Sequence, residues 1–149
     1  MKTLKITKEN RQEYENKEVV FDGHLEIEAN LGWLKFVSLK ISGSIFTEAG
    51  CGIKAGCGIE AGEGIEAGEG IEAGWGIKAG WGIKAGCGIK AGWGIKVGCG
   101  IEAKFISTPM RIFAGLCIWR NPTPDEQKIK AEIRQGTVCF GTVVKLEGK

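Results

Sequence analysis

The sequence predicts an all-β protein, a parallel β-solenoid, on three observations. A six-residue phrase, A-G-x-G-I-[K/E], repeats through the middle of the chain. Ile53, Ile59, Ile65, Ile71, Ile77, Ile83, Ile89, Ile95 and Ile101 form an unbroken series of nine. Every phrase carries two glycines, and 18 of the chain's 25 glycines lie between Gly50 and Gly100. Six is not a helical period, and two glycines per phrase oppose a helix. Because six is even, an extended chain keeps every isoleucine on one face, with the alanine two residues later beside it and Lys or Glu between them facing out. A strand as short as G-I-[K/E]-A cannot bury its isoleucine alone, whereas stacked coils build a continuous Ile/Ala core.

The G-x-G of each phrase is read as the corner of a coil, where glycine is expected to supply conformations that other residues adopt only at a cost. Its central slot holds Cys, Glu or Trp. A slot that accepts Glu63 and Glu69 belongs at least partly in solvent, because a buried unpaired carboxylate is costly. Strict alternation would turn the slot inward, and for Cys51, Cys57, Cys87 and Cys99 that arrangement stays open. These four of the six cysteines are read as interchangeable, reduced slot fillers. Charge bears on coil size. Outward residues 18 apart are opposite in sign in five of six pairs, those 12 apart in four of seven, and those 24 apart in four of five. Charge alone therefore leaves two, three or four hexads per coil open.

Around this centre the chain is read as one domain of 149 residues. Residues 1–21 form an N-terminal cap with a short helix through "KENRQEY", capped by Thr7. Residues 22–48 form irregular coils, 49–103 the regular repeat, and 104–120 bulkier coils in which Ile106, Ile112 and Ile118 resume the period after a one-residue deletion. Residues 121–149 form a loop, "NPTPDEQ", and closing strands. About six or seven coils at ~4.8 Å each give a rod roughly 30 Å long.

Across Asp22 to Gly141 the chain resembles the hexapeptide-repeat solenoid class. More narrowly it resembles small proteins with G-I-[E/K]-A-G-[W/x] repeats followed by R-I-F-A-G-x-C-x-W-R, here Arg111 to Arg120, a kind associated with phages and prophages of Gram-positive bacteria. The resemblance implies three hexads per coil and no established activity. Hexapeptide acyltransferases of the same class need a histidine base near a coil interface and usually an extruded loop. The central hexads here have neither, and the single histidine, His24, is read as a surface or capping residue.

Composition excludes several function classes. A formal charge of +2 lacks the basic excess of a general nucleic-acid binder. No apolar run reaches signal-peptide or membrane-span length, so a cytosolic protein is expected, without membrane contact. The G-x-G phrases precede no helix and lack G-K-[S/T], so they are not phosphate loops. No C-x-x-C or histidine cluster points to a metal, and no cofactor is expected. The repeat has no Ser or Thr for an ice-binding array. The chain is read as no enzyme.

The remaining signal is an axial charge pattern with tryptophan in it. Five glutamates and no base lie from Gly58 to Gly74, and four lysines with no acid from Gly76 to Gly98. Trp75, Trp81 and Trp93 fill slots in the basic band, Trp75 and Trp93 one three-hexad coil apart and able to stack. Indoles beside cations are typical of protein hot spots and of base-stacking platforms. The candidate binding residues are Trp75, Trp81, Trp93, Lys78, Lys84, Lys96, Glu63 and Glu69. The expected partner is a protein, with a host defence nuclease inhibited in the manner of anti-CRISPR proteins as the most concrete case. The alternatives are a self-assembling or virion-associated solenoid, homo-oligomer included, and a nucleotide or nucleic-acid platform.

Overall fold

A computed structural model describes residues 2–115 and 123–144. These form a parallel β-solenoid of about six turns, with about 19 residues per turn. Three faces are built. The first stacks Thr3–Ile6, His24–Ile27, Ile45–Thr47, Ile65–Ala67 and Ile83–Ala85. The second stacks Gly32–Phe36, Cys51–Ala55, Ile71–Ala73 and Gly88–Ala91. The third stacks Glu18–Phe21, Ser38–Ile41, Ile59–Ala61, Ile77–Ala79 and Ile95–Val97. One long strand, Ile101–Ala114, then runs along all three faces in turn, pairing Ile101 with Ile83, Ile106 with Ile89 and Ile112 with Ile95. Lys128–Phe140 repeats that path above it.

Register decides the number of hexads. Ile71 pairs with Ile53, Ile77 with Ile59 and Ile83 with Ile65, each a step of 18, so three hexads make one coil and the two-sided and four-sided alternatives fall. Earlier coils are longer, since Leu39 pairs with Ile59 and Leu25 with Ile45. Past the one-residue deletion the step falls to 17, from Ile89 to Ile106. The nine repeat isoleucines are all at most 2% exposed. Each lies between isoleucines or leucines of the coils on either side, so the core is a column rather than a globule.

The expected N-terminal helix is not there. No α-helix occurs among the described residues. Thr3–Ile6 is already a strand on the first face, and "KENRQEY" contains only a three-residue 3-10 turn, Arg11–Glu13. The reason is local. Thr7 does not cap with its side chain; its N–H donates to Asn10 Oδ1 at 2.7 Å, while Asn10 Nδ2 donates to the Lys5 carbonyl at 2.9 Å. Asn10 thereby ties the segment into a turn, a standard competition between polar side chains and helix. Arg11 completes it through Glu15 and the Leu31 carbonyl.

The corner glycines have a different cause from the one expected. Of the glycines from Gly50 to Gly100, only Gly50 has a positive φ. The requirement elsewhere is room. From Gly74 onward a Cβ on the first glycine of a corner would strike the coil below, lying 2.1 Å from the carbonyl oxygen of Gly56 at Gly74, 2.1 Å from that of Gly62 at Gly80, and 2.0 Å from that of Gly74 at Gly92. At the second glycine the room is greater on two faces: 3.4 Å for Gly58 and Gly64. On the second face an aromatic ring takes the space instead. Trp33 lies over Gly52 and Gly70, and Phe105 over Gly88, where any Cβ would strike the ring. Arg134 stacks 3.9 Å from the Phe105 centroid.

The return to the last coil is fixed by a capping box between Thr123 and Glu126 and by Lys128, 2.7 Å from Asp125, whose carboxyl it holds below the usual range by hydrogen bonding and charge. Ile118 and the rest of the "LCIWR" phrase, Leu116 to Arg120, lie outside the described residues, as do Asn121, Pro122 and 145–149.

A candidate docking edge

Three hexads per coil sort the variable slots into three files, one per corner. Cys57, Trp75 and Trp93 follow one another between the second and third faces, each N–H donating to the carbonyl of the residue below. Glu63, Trp81 and Cys99 form the file between the third and first faces, and Cys51, Glu69 and Cys87 that between the first and second. The three tryptophans project, at 49% exposure for Trp75, 52% for Trp81 and 58% for Trp93. Trp75 and Trp93 stack with ring centroids 5.2 Å apart and planes 5° from parallel. Trp81 stands alone on the opposite edge of the third face.

Lys78 and Lys96 lie on that third face in direct register, two like charges one above the other. Among the described residues neither has a carboxylate within ion-pair distance, whereas Lys54 meets Glu72 at 3.8 Å and Lys84 meets Glu102 at 3.9 Å on the other faces. Exposed pairs contribute little to stability but do cancel local potential. Beside the stacked indoles the two lysines stand as like charges in register.

The eight candidate residues therefore divide. Trp75, Trp93, Lys78 and Lys96 come together on one edge. Lys84 sits on the first face in its ion pair. Glu63 accepts a hydrogen bond from Ser44 Oγ at 3.0 Å and lies 3.8 Å from His24 Nδ1, which itself accepts the Ser44 N–H at 2.9 Å. His24, Ser44 and Glu63 thus tie three successive coils together. Glu69 occupies the third file of slots, away from the indole pair.

Residues unforeseen in the sequence extend the edge. Met110, Arg111 and Phe113 continue the surface beyond Trp93 and Lys96. Because Ile112 pairs with Ile95, Arg111 and Phe113 occupy the outward positions that Gly94 and Lys96 hold one coil below. Phasing "RIF" on its isoleucine gives that placement. Between the indoles and the lysines runs a shallow groove floored by Gly58, Gly76 and Gly94.

One slot departs from the rest. Cys51 is fully buried, with Sγ donating to the Glu28 carbonyl at 2.8 Å and accepting the Leu31 N–H at 3.3 Å. It is a packing residue, not a filler, because the longer coil beneath it brings Glu28 and Leu31 across the corner. Cys57 and Cys87 do project. Replacing Cys57 or Cys87 by Ser is expected to change stability by under about 0.5 kcal/mol, and Cys51→Ala to cost roughly 1–3 kcal/mol. Urea unfolding in reducing buffer measures both. Equal effects would mean that burial at Cys51 carries no energy.

Among the described residues no group of three His, Cys, Asp or Glu could hold a metal ion, and no helix is long and apolar enough to cross a membrane. Every buried side-chain polar atom among them has a partner. Comparison with known proteins finds no family model, curated protein or solved structure that matches the chain, which is assigned as a parallel β-solenoid of about six turns.

Proposed function

We propose that this is a non-catalytic binding protein that docks a partner protein on the edge formed by Trp75, Trp93, Lys78 and Lys96. The observation that carries the reading is the half-exposed, stacked indole pair beside two lysines stacked in register, neither in an ion pair among the described residues. Such a surface is rigid, since each tryptophan backbone is held in the inter-coil ladder, so little ordering entropy opposes binding. Exposed indoles are the commonest anchors of protein interfaces, with nearby charges acting on association rate and orientation. A net charge of +2 and the presence of Glu60 on the same face weigh against a nucleic-acid surface, whose affinity comes from many phosphate contacts.

As partner we take a bacterial defence protein, a nuclease in the most concrete case, inhibited stoichiometrically in the host cytosol as anti-CRISPR proteins do. That step rests on the resemblance to phage-type repeat proteins rather than on a residue. Trp75→Ala and Trp93→Ala should each weaken partner binding by roughly 1–3 kcal/mol while the fold survives, because the indole stack itself contributes only about 0.5–1.5 kcal/mol. Titration of a partner purified from host lysate measures this, with Trp81→Ala as comparison. Wild-type binding by both variants would remove the edge from the interface. Polymers in sedimentation would favour a scaffold instead.

A further inference from the structure

The groove between the indoles and the lysines fits one kind of occupant better than others, and this step rests on the docking edge proposed above. Its floor is a file of glycines, Gly58, Gly76 and Gly94, and its walls are Trp75 and Trp93 on one side and Lys78 and Lys96 on the other, the latter file continuing below through Glu60 and Lys40. The floor glycines are not all demanded by packing. A Cβ at Gly58 would meet its nearest atom at 3.4 Å and one at Gly76 at 3.3 Å, against 2.0 Å at Gly92. Their missing side chains leave the channel open.

The walls repeat along the rod once per coil, at the inter-strand spacing of about 4.8 Å. Side chains on one face of an extended peptide recur about every 6.6 Å and fall out of step with that spacing. Side chains three or four apart on an α-helix recur at about 5–6 Å and stay in step over two or three coils. Lys78 and Lys96 stack as like charges, with Glu60 below Lys78 and Phe113 above Lys96, and Arg111 adds a third cation above Gly94 at the upper end of the floor. We propose that the third face receives an acidic amphipathic α-helix of the partner, laid along the rod, with carboxylates on Lys78 and Lys96 and apolar residues against Trp75, Trp93 and Met110.

The probe is a synthetic helical peptide of about 20 residues with glutamates along one edge of a leucine face. The comparison ligands are a charge-swapped lysine peptide and single-stranded DNA. Full-length protein should bind the acidic peptide, and Lys78→Glu with Lys96→Glu should weaken it at least about tenfold and transfer preference to the lysine peptide. Lys90→Glu, exposed on the second face, should leave it unchanged. Acidic-peptide binding that is absent, or that survives the double reversal, overturns the proposal, as does tighter binding of the DNA. If Trp75→Ala and Trp93→Ala lose the purified partner but the double lysine reversal does not, the docking edge stands and its acidic occupant falls.

Discussion

Replacing Gly92 by alanine should unfold the protein under conditions where Gly58→Ala leaves it folded. Both glycines sit in corner phrases on the same file of coils, Gly92 as the first and Gly58 as the second glycine of its G-x-G. The added methyl at Gly92 would lie 2.0 Å from the Gly74 carbonyl oxygen, well inside contact distance, and that atom is backbone. Relief requires the two coils to part by about 1 Å, which strains the Gly92 N–H bond to the Ala73 carbonyl at 2.9 Å and the Trp93 bond beside it. With each coil touching only its neighbours, no other contact offsets the loss. A cost above about 3 kcal/mol is expected, a large share of a typical stability of about 5–15 kcal/mol. At Gly58 the nearest atom would be 3.4 Å away, and the change should stay within about 1 kcal/mol. Urea midpoints of the two variants decide it; similar midpoints would show that the coils do not approach as described.

Replacing Ile77 by aspartate should abolish folding, while Ile77→Val costs only about 0.5–1.5 kcal/mol. Ile77 is 1% exposed and lies in the core column between Ile59 and Ile95, with no polar group there to receive a carboxylate. In a globular core a charge can turn toward solvent through a loosened edge. Here it lies between two stacked coils, so the break divides the rod. Circular dichroism and size measurement read the outcome, and a soluble aspartate variant with an unchanged spectrum would show that Ile77 is not in the core.

The isoleucine spacing made the fold legible, since an even period with two glycines admits extended coils and excludes helix. Charge sign at a step of 18 agreed with the register now seen at Lys54 and Glu72 or Glu66 and Lys84, although it could not by itself exclude the other coil sizes. The corner glycines were identified for the wrong reason. Backbone freedom is a property of one residue, whereas the 2.0 Å approach at Gly92 involves two coils and needs coordinates. Asn10, which turns "KENRQEY" away from a helix, acts through two hydrogen bonds that no periodicity encodes. Of the candidate site, the Trp75 and Trp93 pair followed from their spacing of 18 once three hexads per coil were taken from the resemblance. The fates of Glu63 and Lys84 depended on partners 19 and 18 residues away, Ser44 and Glu102, which only the coil register brings together.

Fold and docking edge alike depend on slots 18 residues apart being stacked neighbours, as the pairing of Ile77 with Ile95 requires. The natural tryptophans report it directly, because two indoles 5.2 Å apart and nearly parallel couple as an exciton pair in circular dichroism. The account predicts a couplet that disappears in Trp75→Ala and in Trp93→Ala and persists in Trp81→Ala. A couplet that disappears in Trp81→Ala and persists in Trp75→Ala would put Trp81 beside Trp93, a step of two hexads, and would contradict it.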